Sequence, residues 1–439
     1  MLFNKLDAIW KGDSSPFFKS EHSDITYSDI RNAIIPDIAT INPGDVVALI
    51  GDFNEKTIAT FLSLVEKNCV IVPLTKETKD QHSYFLEQSY AQYVFDEDML
   101  IEVRNNEQVK NPLIDSLRSS GHPGLVLFTS GSTGKPKAIL HDFLPFIERY
   151  STPRPSLCSL SFLLFDHIGG LNTMLHMLFN KGLICSLKTR SVSEVLNTCK
   201  RFNVELLPTT PTFLRMLSLL PELPEYFPES VKIISYGTER MDQVTLSCLV
   251  DMLPNVSFRQ TYGMSELGIL RIKSLKNNSL FMKVGGEGVE TKVVDDVLYI
   301  RSKSRMLGYL NAPSPFDEHG WYCTKDIVEV YADNTEYIRI TGRDSEIINV
   351  GGLKFMASEV ESVALAFPQI SLTKVIARAN PITGQHVELL IQTEEDPSKA
   401  NFDLVKFKSY LKNSLQRHML PLSIKVNSGI TVSHRFKRL

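Results

Sequence analysis

The stretch GLVLFTSGSTGKPKAILH, residues 124–141, combines residue types that bind phosphate. A hydrophobic run leads into a loop of hydroxyl-bearing residues and glycines, and two lysines follow. The loop residues are Thr129, Ser130, Gly131, Ser132, Thr133 and Gly134, and the lysines are Lys135 and Lys137. Glycines let backbone N–H groups approach an anion, hydroxyl groups donate further hydrogen bonds, and lysines neutralise charge. The stretch therefore predicts a phosphate-binding loop.

This loop differs from the P-loop of common nucleotide hydrolases. The pattern GxxxxGK[ST] would place Gly at position 129 and Ser or Thr at position 136, where the chain has Thr129 and Pro136. The sequence therefore disfavours an ordinary P-loop NTPase. On composition alone, a flexible Ser/Gly loop with solvated lysines is the simpler alternative, so the order of the residues has to decide.

TSGSTGKPK closely resembles the signature of the adenylate-forming (AMP-binding) superfamily, which includes acyl-CoA and aryl-CoA synthetases, luciferases and the adenylation domains of peptide synthetases. Further motifs follow in the family's order, from TYSDI near Thr26 to the last residues. The resemblance implies a large N-terminal AMP-binding domain, residues 1–342, and a small mobile C-terminal domain, residues 343–439.

QTYGMSE, residues 260–266, resembles the family's YGxTE motif. The resemblance implies that the ring of Tyr262 stacks on adenine, that the hydroxyl of Ser265 meets the phosphate or the acyl carboxylate, and that Glu266 helps to hold Mg²⁺. Serine keeps the hydroxyl of the family's threonine, and a carboxylate is a hard oxygen ligand for Mg²⁺. Upstream, SYGTERM resembles the loop that lines the adenine pocket, and its matching positions are Gly237, Thr238 and Glu239.

WYCTKD resembles the family's YxTGD motif, whose Asp binds both ribose hydroxyls. Asp326 is the match, with Lys325 in place of the usual Gly, and a simple turn Asp is the alternative. ITGRDSEIINVGG resembles the segment that opens the C-terminal domain. There Arg343 would contact ribose or phosphate, and Ser345 occupies the hinge position, which is commonly Asp or Lys.

The pair Gly351 and Gly352 lies where relatives bring the backbone close to the pantetheine arm of the thiol substrate. Glycine permits such an approach because it has no Cβ. The surrounding IINVGG resembles acyl-CoA synthetases more than peptide-synthetase domains.

The chain ends in SHRFKRL, where the family has a GK motif whose lysine bridges the carboxylate and the α-phosphate. Lys437 is the match, although Phe436 replaces the Gly before it. A basic, frayed C-terminus is the alternative. Lys425 is a poorer candidate for the catalytic lysine because it lies in a strand-like run.

SFLLFDHIGGLNTMLHML resembles the family's FHxGG segment, which delivers a side chain to the acid-binding site. Asp166 and His167 are the candidates. A carboxylate at that site could pair with an amino group on the substrate, as in amino-acid-activating relatives. Alternatively, Asp166 could cap the helix that begins near Gly169.

The elements that must position these residues follow an α/β pattern. Between Val46 and Thr209 short apolar runs such as VVALI, CVIVPL, GLVLFT and SLSFLLF alternate with helical patterns, which predicts βαβ units and a largely parallel sheet. From about Phe281 short strand-like pieces with turn residues predict a small β-rich unit. After Arg343 a compact α+β module is expected.

Composition excludes several other classes of protein. The 439 residues carry a formal net charge of −3, so no overall positive field favours nucleic acid or an anionic membrane surface. The six cysteines lack CxxC pairs and neighbouring histidines at zinc-ligand spacing. No secretory signal or apolar stretch of about 20 residues is present, so we expect a cytoplasmic protein that does not insert into membranes.

The resemblance implies two half-reactions that use ATP and Mg²⁺. A small carboxylic acid is first adenylated, and the acyl group then passes to a thiol, expected to be that of CoA in an acyl- or aryl-CoA synthetase. Three alternatives stay open, which are loading of a carrier-protein phosphopantetheine, transfer to an amine, and a catalytically inactive ligand-binding relative. Lys325, Ser345 and Phe436 prompt the last of these, whereas retention of the other motif residues argues against it.

Overall fold

A computed structural model describes residues 2–96, 99–104, 110–129, 135–393, 402–427 and 430. Within these residues it confirms the predicted α/β class. Two seven-stranded sheets and their helices lead to a six-stranded antiparallel sheet, and a smaller mixed sheet with two helices follows near the C-terminus.

The first elements of the chain contribute strands to both large sheets. In order they are α1 (Leu2–Ile9), β1 (Pro16–Lys19), β2 (Asp24–Thr26), α2 (Tyr27–Asn32), β3 (Val46–Ile50), α3 (Glu55–Glu66), β4 (Val70–Leu74), α4 (His82–Gln88), β5 (Tyr93–Asp96), β6 (Met99–Glu102), α5 (Pro112–Ser120), β7 (Gly124–Phe128) and β8 (Ala138–Asp142).

The next elements supply the other five strands of one of these sheets. They are α6 (Phe143–Glu148), β9 (Cys158–Leu160), α7 (Ile168–Phe179), β10 (Leu183–Cys185), α8 (Val192–Phe202), β11 (Leu206–Thr209), α9 (Pro211–Ser218), α10 (Leu223–Tyr226), β12 (Ile233–Tyr236), α11 (Gln243–Met252) and β13 (Ser257–Gln260).

The remaining elements form the β-rich unit and the C-terminal module, apart from a two-stranded ribbon and one strand that joins a large sheet. They are β14 (Gly263–Met264), β15 (Gly268–Ile269), β16 (Arg271–Ser274), β17 (Met282–Gly285), β18 (Val289–Val294), β19 (Val297–Ser302), β20 (Gly308–Tyr309), β21 (Tyr322–Val330), β22 (Ile338–Arg343), β23 (Ile347–Val350), β24 (Leu353–Met356), α12 (Ala357–Leu365), β25 (Ile370–Asn380), β26 (Gly384–Thr393), α13 (Leu404–Ser414) and β27 (Ser423–Val426).

The two large sheets have the parallel cores that the alternating pattern predicts. One has the strand order β13-β12-β11-β9-β10-β1-β2, in which β2 alone is antiparallel to its neighbour, and the other has the order β20-β8-β7-β4-β3-β5-β6. Strands β3 and β4 are buried along nearly their whole length, because helices cover both faces of a parallel sheet.

The β-rich unit has the order β16-β17-β22-β21-β19-β18. In β19 buried and partly exposed residues alternate, as expected for a sheet with one face toward the core. The C-terminal sheet has the order β24-β23-β26-β25, with β27 beside β26, and its core lies between Ile348 and Val426. The predicted domain boundary at residues 342 and 343 falls at the end of β22 and stays a prediction.

Candidate active site

The two ends of the predicted phosphate-binding loop lie side by side. The backbone N–H of Thr129 donates to the carbonyl oxygen of Lys137 at 3.1 Å, and the backbone N–H of Lys137 donates to Thr129 Oγ1 at 3.0 Å. The loop thus connects the antiparallel strands β7 and β8. The other candidates in the loop, Ser130, Gly131, Ser132, Thr133 and Gly134, lie outside the described residues, and their role stays a prediction.

Lys137 and Glu266 meet at the side chain of Tyr309. The Lys137 ammonium lies 4.7 Å from the centre of the Tyr309 ring, and the Tyr309 hydroxyl donates to Glu266 Oε1 at 2.7 Å. Tyr309 reaches this place because β20 pairs with β8, with Tyr309 opposite Ile139. A cation and a buried carboxylate from two distant motifs are thus held at one place.

Sequence reasoning missed Tyr309, since a tyrosine in MLGYLN has no chemical signature. Burial, together with the charge of Glu266, raises the pKa of Tyr309 well above its usual range. The hydroxyl therefore keeps its proton at neutral pH and remains a donor to Glu266. Only the pairing of β20 beside the loop shows that this residue belongs to the site.

Tyr262, Asp326 and Arg343 form a second cluster. The Tyr262 hydroxyl donates to Asp326 Oδ2 at 2.6 Å, and Arg343 Nε donates to Asp326 Oδ1 at 3.1 Å. Burial raises the pKa of Asp326, and the neighbouring Arg343 opposes this shift. The structure thus brings three predicted nucleotide-binding residues together. Their contacts with adenine and ribose stay predictions.

Tyr322 is influenced by charges of both clusters. Burial and the charge of Glu266 raise the pKa of the Tyr322 hydroxyl, while Arg343 opposes the shift. The charges of Glu266 in one cluster and of Arg343 in the other therefore both act on this one buried hydroxyl.

His141 fixes the backbone beside Glu266. Its Nε2 lies 2.6 Å from the carbonyl oxygen of Ser265, and a carbonyl can only accept, so the ring donates from Nε2. On the other side the Met306 N–H donates to the carbonyl oxygen of Glu266 at 2.8 Å. The backbone of Ser265 and Glu266 is thus held from two directions, while the predicted role of the Ser265 hydroxyl is untested.

The loop after β12 approaches the start of the Tyr262 loop closely. A Cβ on Gly237 would lie 2.1 Å from Thr261 Oγ1, so this position accepts only glycine without movement. Thr238 has a left-handed backbone with φ +71°. The third candidate in this loop, Glu239, accepts from Thr212 Oγ1 at 2.6 Å at the start of α9. That contact holds α9, and the proposed contacts of this loop with adenine stay predictions.

The acid-site candidates lie where β9 is followed by α7. His167, not Asp166, is the N-cap residue of α7, and its Nδ1 accepts from the Gly169 N–H at 3.0 Å. The alternative that Asp166 caps this helix is therefore wrong. Asp166 is buried and accepts from Thr75 Oγ1 at 3.2 Å, which ties it to the end of β4.

Gly351 and Gly352 form the two-residue turn between β23 and β24. Their φ values of +62° and +89° explain the glycines, because other residues are strained in this conformation. The Gly351 N–H donates to the carbonyl oxygen of Thr383 at 2.9 Å. A Cβ on either glycine would meet nothing within 4 Å, so the turn lies open in this arrangement, and its contact with a pantetheine arm stays a prediction.

Of the two lysine candidates near the C-terminus, only Lys425 lies among the described residues. Lys437, with Phe436 before it, lies outside the described residues, so its catalytic role stays a prediction. The ammonium of Lys425 on β27 pairs with Glu388 at 3.0 Å. Lys325, which replaces the family's Gly, is exposed and keeps a glycine-like φ of +60°.

Other kinds of site are not found in the part of the chain that the structure describes. It contains no group of three or more His, Cys, Asp or Glu side chains that could hold a metal ion. No helix there is long and apolar enough to cross a bilayer. Among these described residues Glu266 is therefore not part of a cluster of three or more such ligands, and the predicted cytoplasmic location stays a prediction.

In a comparison with protein families, the model of AMP-binding enzymes matches residues 37–310. This range includes the phosphate-binding loop, the Tyr262 loop and Tyr309. It ends before Asp326 and Arg343.

Two curated proteins and one crystal structure illustrate the similarity. The chain is 26% identical over 326 residues to the uncharacterized acyl–CoA ligase YhfT of Bacillus subtilis (strain 168), which covers 68% of this chain and 64% of that protein. It is 28% identical over 337 residues to the fatty acid–[acyl-carrier-protein] ligase MmaC of Mycobacterium marinum, covering 65% and 62%. The chain thus spans less than two thirds of these relatives. The crystal structure of the anthranilate CoA ligase AuaEII in complex with anthranoyl-AMP superposes on this protein with a TM-score of 0.80. The match covers 99% of this chain and 95% of AuaEII at 16% sequence identity, which establishes a shared fold.

Proposed function

Because the chain belongs to the AMP-binding enzyme family, we propose that it is an ATP-dependent acid–thiol ligase, which joins a carboxylic acid to AMP and then passes the acyl group to CoA. The observation that carries this proposal is the meeting of Lys137 and Glu266 at Tyr309. A phosphate chain with a bound cation needs such a pair, because the lysine attracts phosphate and the carboxylate attracts the cation.

In the first half-reaction the acid's carboxylate attacks the α-phosphate of ATP, and pyrophosphate leaves. Charge on the phosphoryl oxygens is stabilised by groups that are already in position. Lys137 and the Thr129 loop contribute cations and donors, and Lys437 is proposed to bridge the carboxylate and the α-phosphate. The Ser265 hydroxyl, whose backbone His141 holds, is proposed to meet the same groups.

Glu266 fits the proposed metal role. A carboxylate has about four acceptor sites, and the Tyr309 hydroxyl occupies one of them. Mg²⁺ that arrives with ATP would neutralise phosphate charge, and it is typically bound by one or two carboxylates together with the phosphates. A single buried carboxylate is therefore enough, and a larger cluster of acidic residues is not required.

The nucleoside end of ATP is assigned to the second cluster. The Tyr262 ring would stack on adenine, and Gly237 and Thr238 would line the adenine pocket. Asp326 would accept from the ribose hydroxyls, with Arg343 neutralising its buried charge. Both ends of the nucleotide would then lie near Tyr322, whose hydroxyl is influenced by charges of both clusters.

The second half-reaction is proposed to follow rotation of the C-terminal domain, residues 343–439, about the linker at Ser345. This movement would withdraw Lys437 and bring the Gly351 and Gly352 turn to the thiol. The turn suits that purpose because it is exposed and carries no side chains. Separating the two steps in one pocket requires such gating.

A carrier-protein thiol is the second candidate acceptor. Its support is the similarity to MmaC, a fatty acid–[acyl-carrier-protein] ligase, which is as strong in identity as the similarity to the CoA ligase. The acid itself is proposed to bind beside Asp166 and His167 at the start of α7. An amino group on the acid would interact with the buried Asp166 carboxylate.

ATP–pyrophosphate exchange across a panel of aliphatic, aryl and amino acids tests the proposal. We expect exchange with at least one acid, a loss of at least a hundredfold in Lys437→Ala, and near-normal exchange in the matched variant Lys425→Ala. Consumption of free CoA, measured with the same acid, separates a CoA ligase from a carrier-loading enzyme. Absence of both exchange and ATP binding would favour an inactive relative.

A further inference from the structure

Arg215, on α9, binds three backbone carbonyl groups of the C-terminal module. Its Nη2 donates to the carbonyl oxygens of Leu365 at 3.3 Å and Ile370 at 2.6 Å, and its Nε donates to that of Ser371 at 3.1 Å. Arg215 is only 8% exposed. One buried guanidinium therefore connects the large N-terminal part of the chain with the small C-terminal module.

One of the carbonyl groups that Arg215 binds, that of Leu365, lies at the end of a helix. Helix α12 ends at Leu365, and the last four carbonyl groups of a helix have no partner within it. Residues 362–365 provide no basic side chain for this end. A guanidinium has several donors in a fixed fork, and its charge suits the negative end of a helix dipole. Arg215 therefore caps α12 from outside the module.

Arg240 makes a second contact with the same helix. Its Nη2 lies 3.6 Å from the carboxylate of Glu361 on α12, and its Nη1 donates to the carbonyl oxygen of Thr341 at 3.2 Å, shortly before the linker. Glu361 is held in turn, because its Oε1 accepts from the Val375 N–H at 2.9 Å. The two arginines thus contact α12 at its end and in its middle.

These contacts span the linker about which the C-terminal domain is proposed to turn. Rotation would carry α12 away from both arginines, so their contacts with it belong to one orientation only. Each half-reaction of the proposed function needs a different orientation. We propose that Arg215 and Arg240 are positioning residues that form an interdomain clamp and hold the C-terminal domain in one of its two catalytic orientations.

The strength of the clamp suits a reversible movement. When the domain turns away, water replaces the carbonyl groups as partners of the guanidinium, so only the net hydrogen-bond free energy is lost. For a charged donor that net value corresponds to roughly tenfold or more in an equilibrium constant. The clamp therefore shifts the balance between orientations without locking it. This inference rests on the proposed function, because it assigns the orientations to the two half-reactions.

Three variants separate the clamp from a general effect on folding. Arg215→Met keeps an apolar stem but removes every donor. Glu361→Gln removes the ion pair from the opposite side, while its Oε1 can still accept from Val375, so it serves where Arg215→Met does not fold. The matched control is Arg118→Met, since Arg118 Nε donates to the Gly44 carbonyl oxygen at 2.9 Å within the N-terminal part of the chain.

Two measurements are made on each full-length variant, namely hydrogen exchange of the amides in residues 366–375 and the ratio of ATP–pyrophosphate exchange to thioester formation. For Arg215→Met we expect amide exchange to be at least fivefold faster and the ratio to change about tenfold, because one half-reaction gains what the other loses. Glu361→Gln should move both values in the same direction by a smaller factor. Arg118→Met should change neither.

Equal losses in both half-reactions of the clamp variants, with an unchanged ratio, would overturn the positioning role. Unchanged amide exchange in an active protein would overturn the clamp alone. Absence of adenylation by the wild-type protein would instead overturn the proposed function, and with it the catalytic meaning of the clamp. The two failures are therefore distinguishable.

Discussion

Mild acid should lower the free energy of unfolding, because the unfolded chain takes up a proton at His141 more readily than the folded protein does. The ring is completely buried, and burial lowers the pKa of His141 from its ordinary 6.5 to about 4. Its Nε2 donates to the carbonyl oxygen of Ser265. Between these two pKa values the unfolded chain binds a proton that the folded protein does not bind.

The sign and size of this effect follow from the shift. Because the pKa of His141 is lower in the folded protein, its contribution to stability is complete above pH 6.5 and is lost as the pH falls through about 4. A shift of about 2.5 pKa units corresponds to about 3 kcal/mol in total. By pH 5 the protein should already have lost about 2 kcal/mol of its free energy of unfolding from this group.

Urea unfolding of the wild type and of His141→Gln between pH 7.5 and 5 measures this loss. Glutamine keeps an N–H donor but does not titrate in this range, and the fluorescence of the buried Trp10 reports unfolding of the N-terminal part. The wild type should lose about 2 kcal/mol more than the variant over this range. A difference between the two proteins that stays constant with pH would refute the reasoning.

Three substitutions test other parts of the site. Tyr309→Phe keeps the ring but removes the donor to the buried Glu266 carboxylate. We expect this to lower the free energy of unfolding by about 1.5–3 kcal/mol and to slow ATP–pyrophosphate exchange roughly tenfold to a hundredfold, and an unchanged exchange rate would contradict the assigned contact. Lys325→Gly should raise the free energy of unfolding by about 1 kcal/mol in urea titrations, because a left-handed backbone is strained in lysine, and a loss of stability would count against this. Gly237→Ala should lower the free energy of unfolding by about 1–3 kcal/mol, since the new methyl group would lie 2.1 Å from the side-chain oxygen of Thr261. Gly285→Ala is the control and should be neutral, because a Cβ there meets nothing within 4 Å, and equal effects of the two substitutions would contradict the packing argument.

The sequence predicted much of the site because motif chemistry is local. Tyr262, Asp326 and Arg343 come from three separate motifs, and the structure joins them through hydrogen bonds to one carboxylate. Tyr309 and Arg215 could not be predicted in this way, since their roles depend on strand pairing and on contact with the C-terminal module. The motifs thus identified groups that are proposed to contact substrate, and the fold was needed to find the groups that position them.

The fold prediction was weakest where a hydrophobic run has no clear period. The run SLSFLLF reads as a strand, but β9 ends at Leu160, and Leu164 and Phe165 are buried beyond it. A buried apolar run cannot tell a strand from a packed loop. The N-cap of α7 was misplaced for a related reason, because a shift of one residue in the helix start makes His167 rather than Asp166 the capping residue.

The arrangement of Arg343 suggests how nucleotide binding and domain rotation are coupled. Arg343 pairs with Asp326 through its side chain, and its backbone N–H donates to Glu346 Oε2 at 3.2 Å, so one residue joins the Asp326 carboxylate to the linker that contains Ser345. Ribose hydroxyls that bind Asp326 would compete with Tyr262 and Arg343 for its oxygens. Because Arg343 is the last residue of β22, any shift of its side chain acts directly on the first residues of the linker. We therefore expect nucleotide binding to change amide exchange in residues 343–346, and Glu346→Ala, which removes the acceptor of the Arg343 N–H, to weaken that response while leaving adenylation of the acid within about twofold of the wild type.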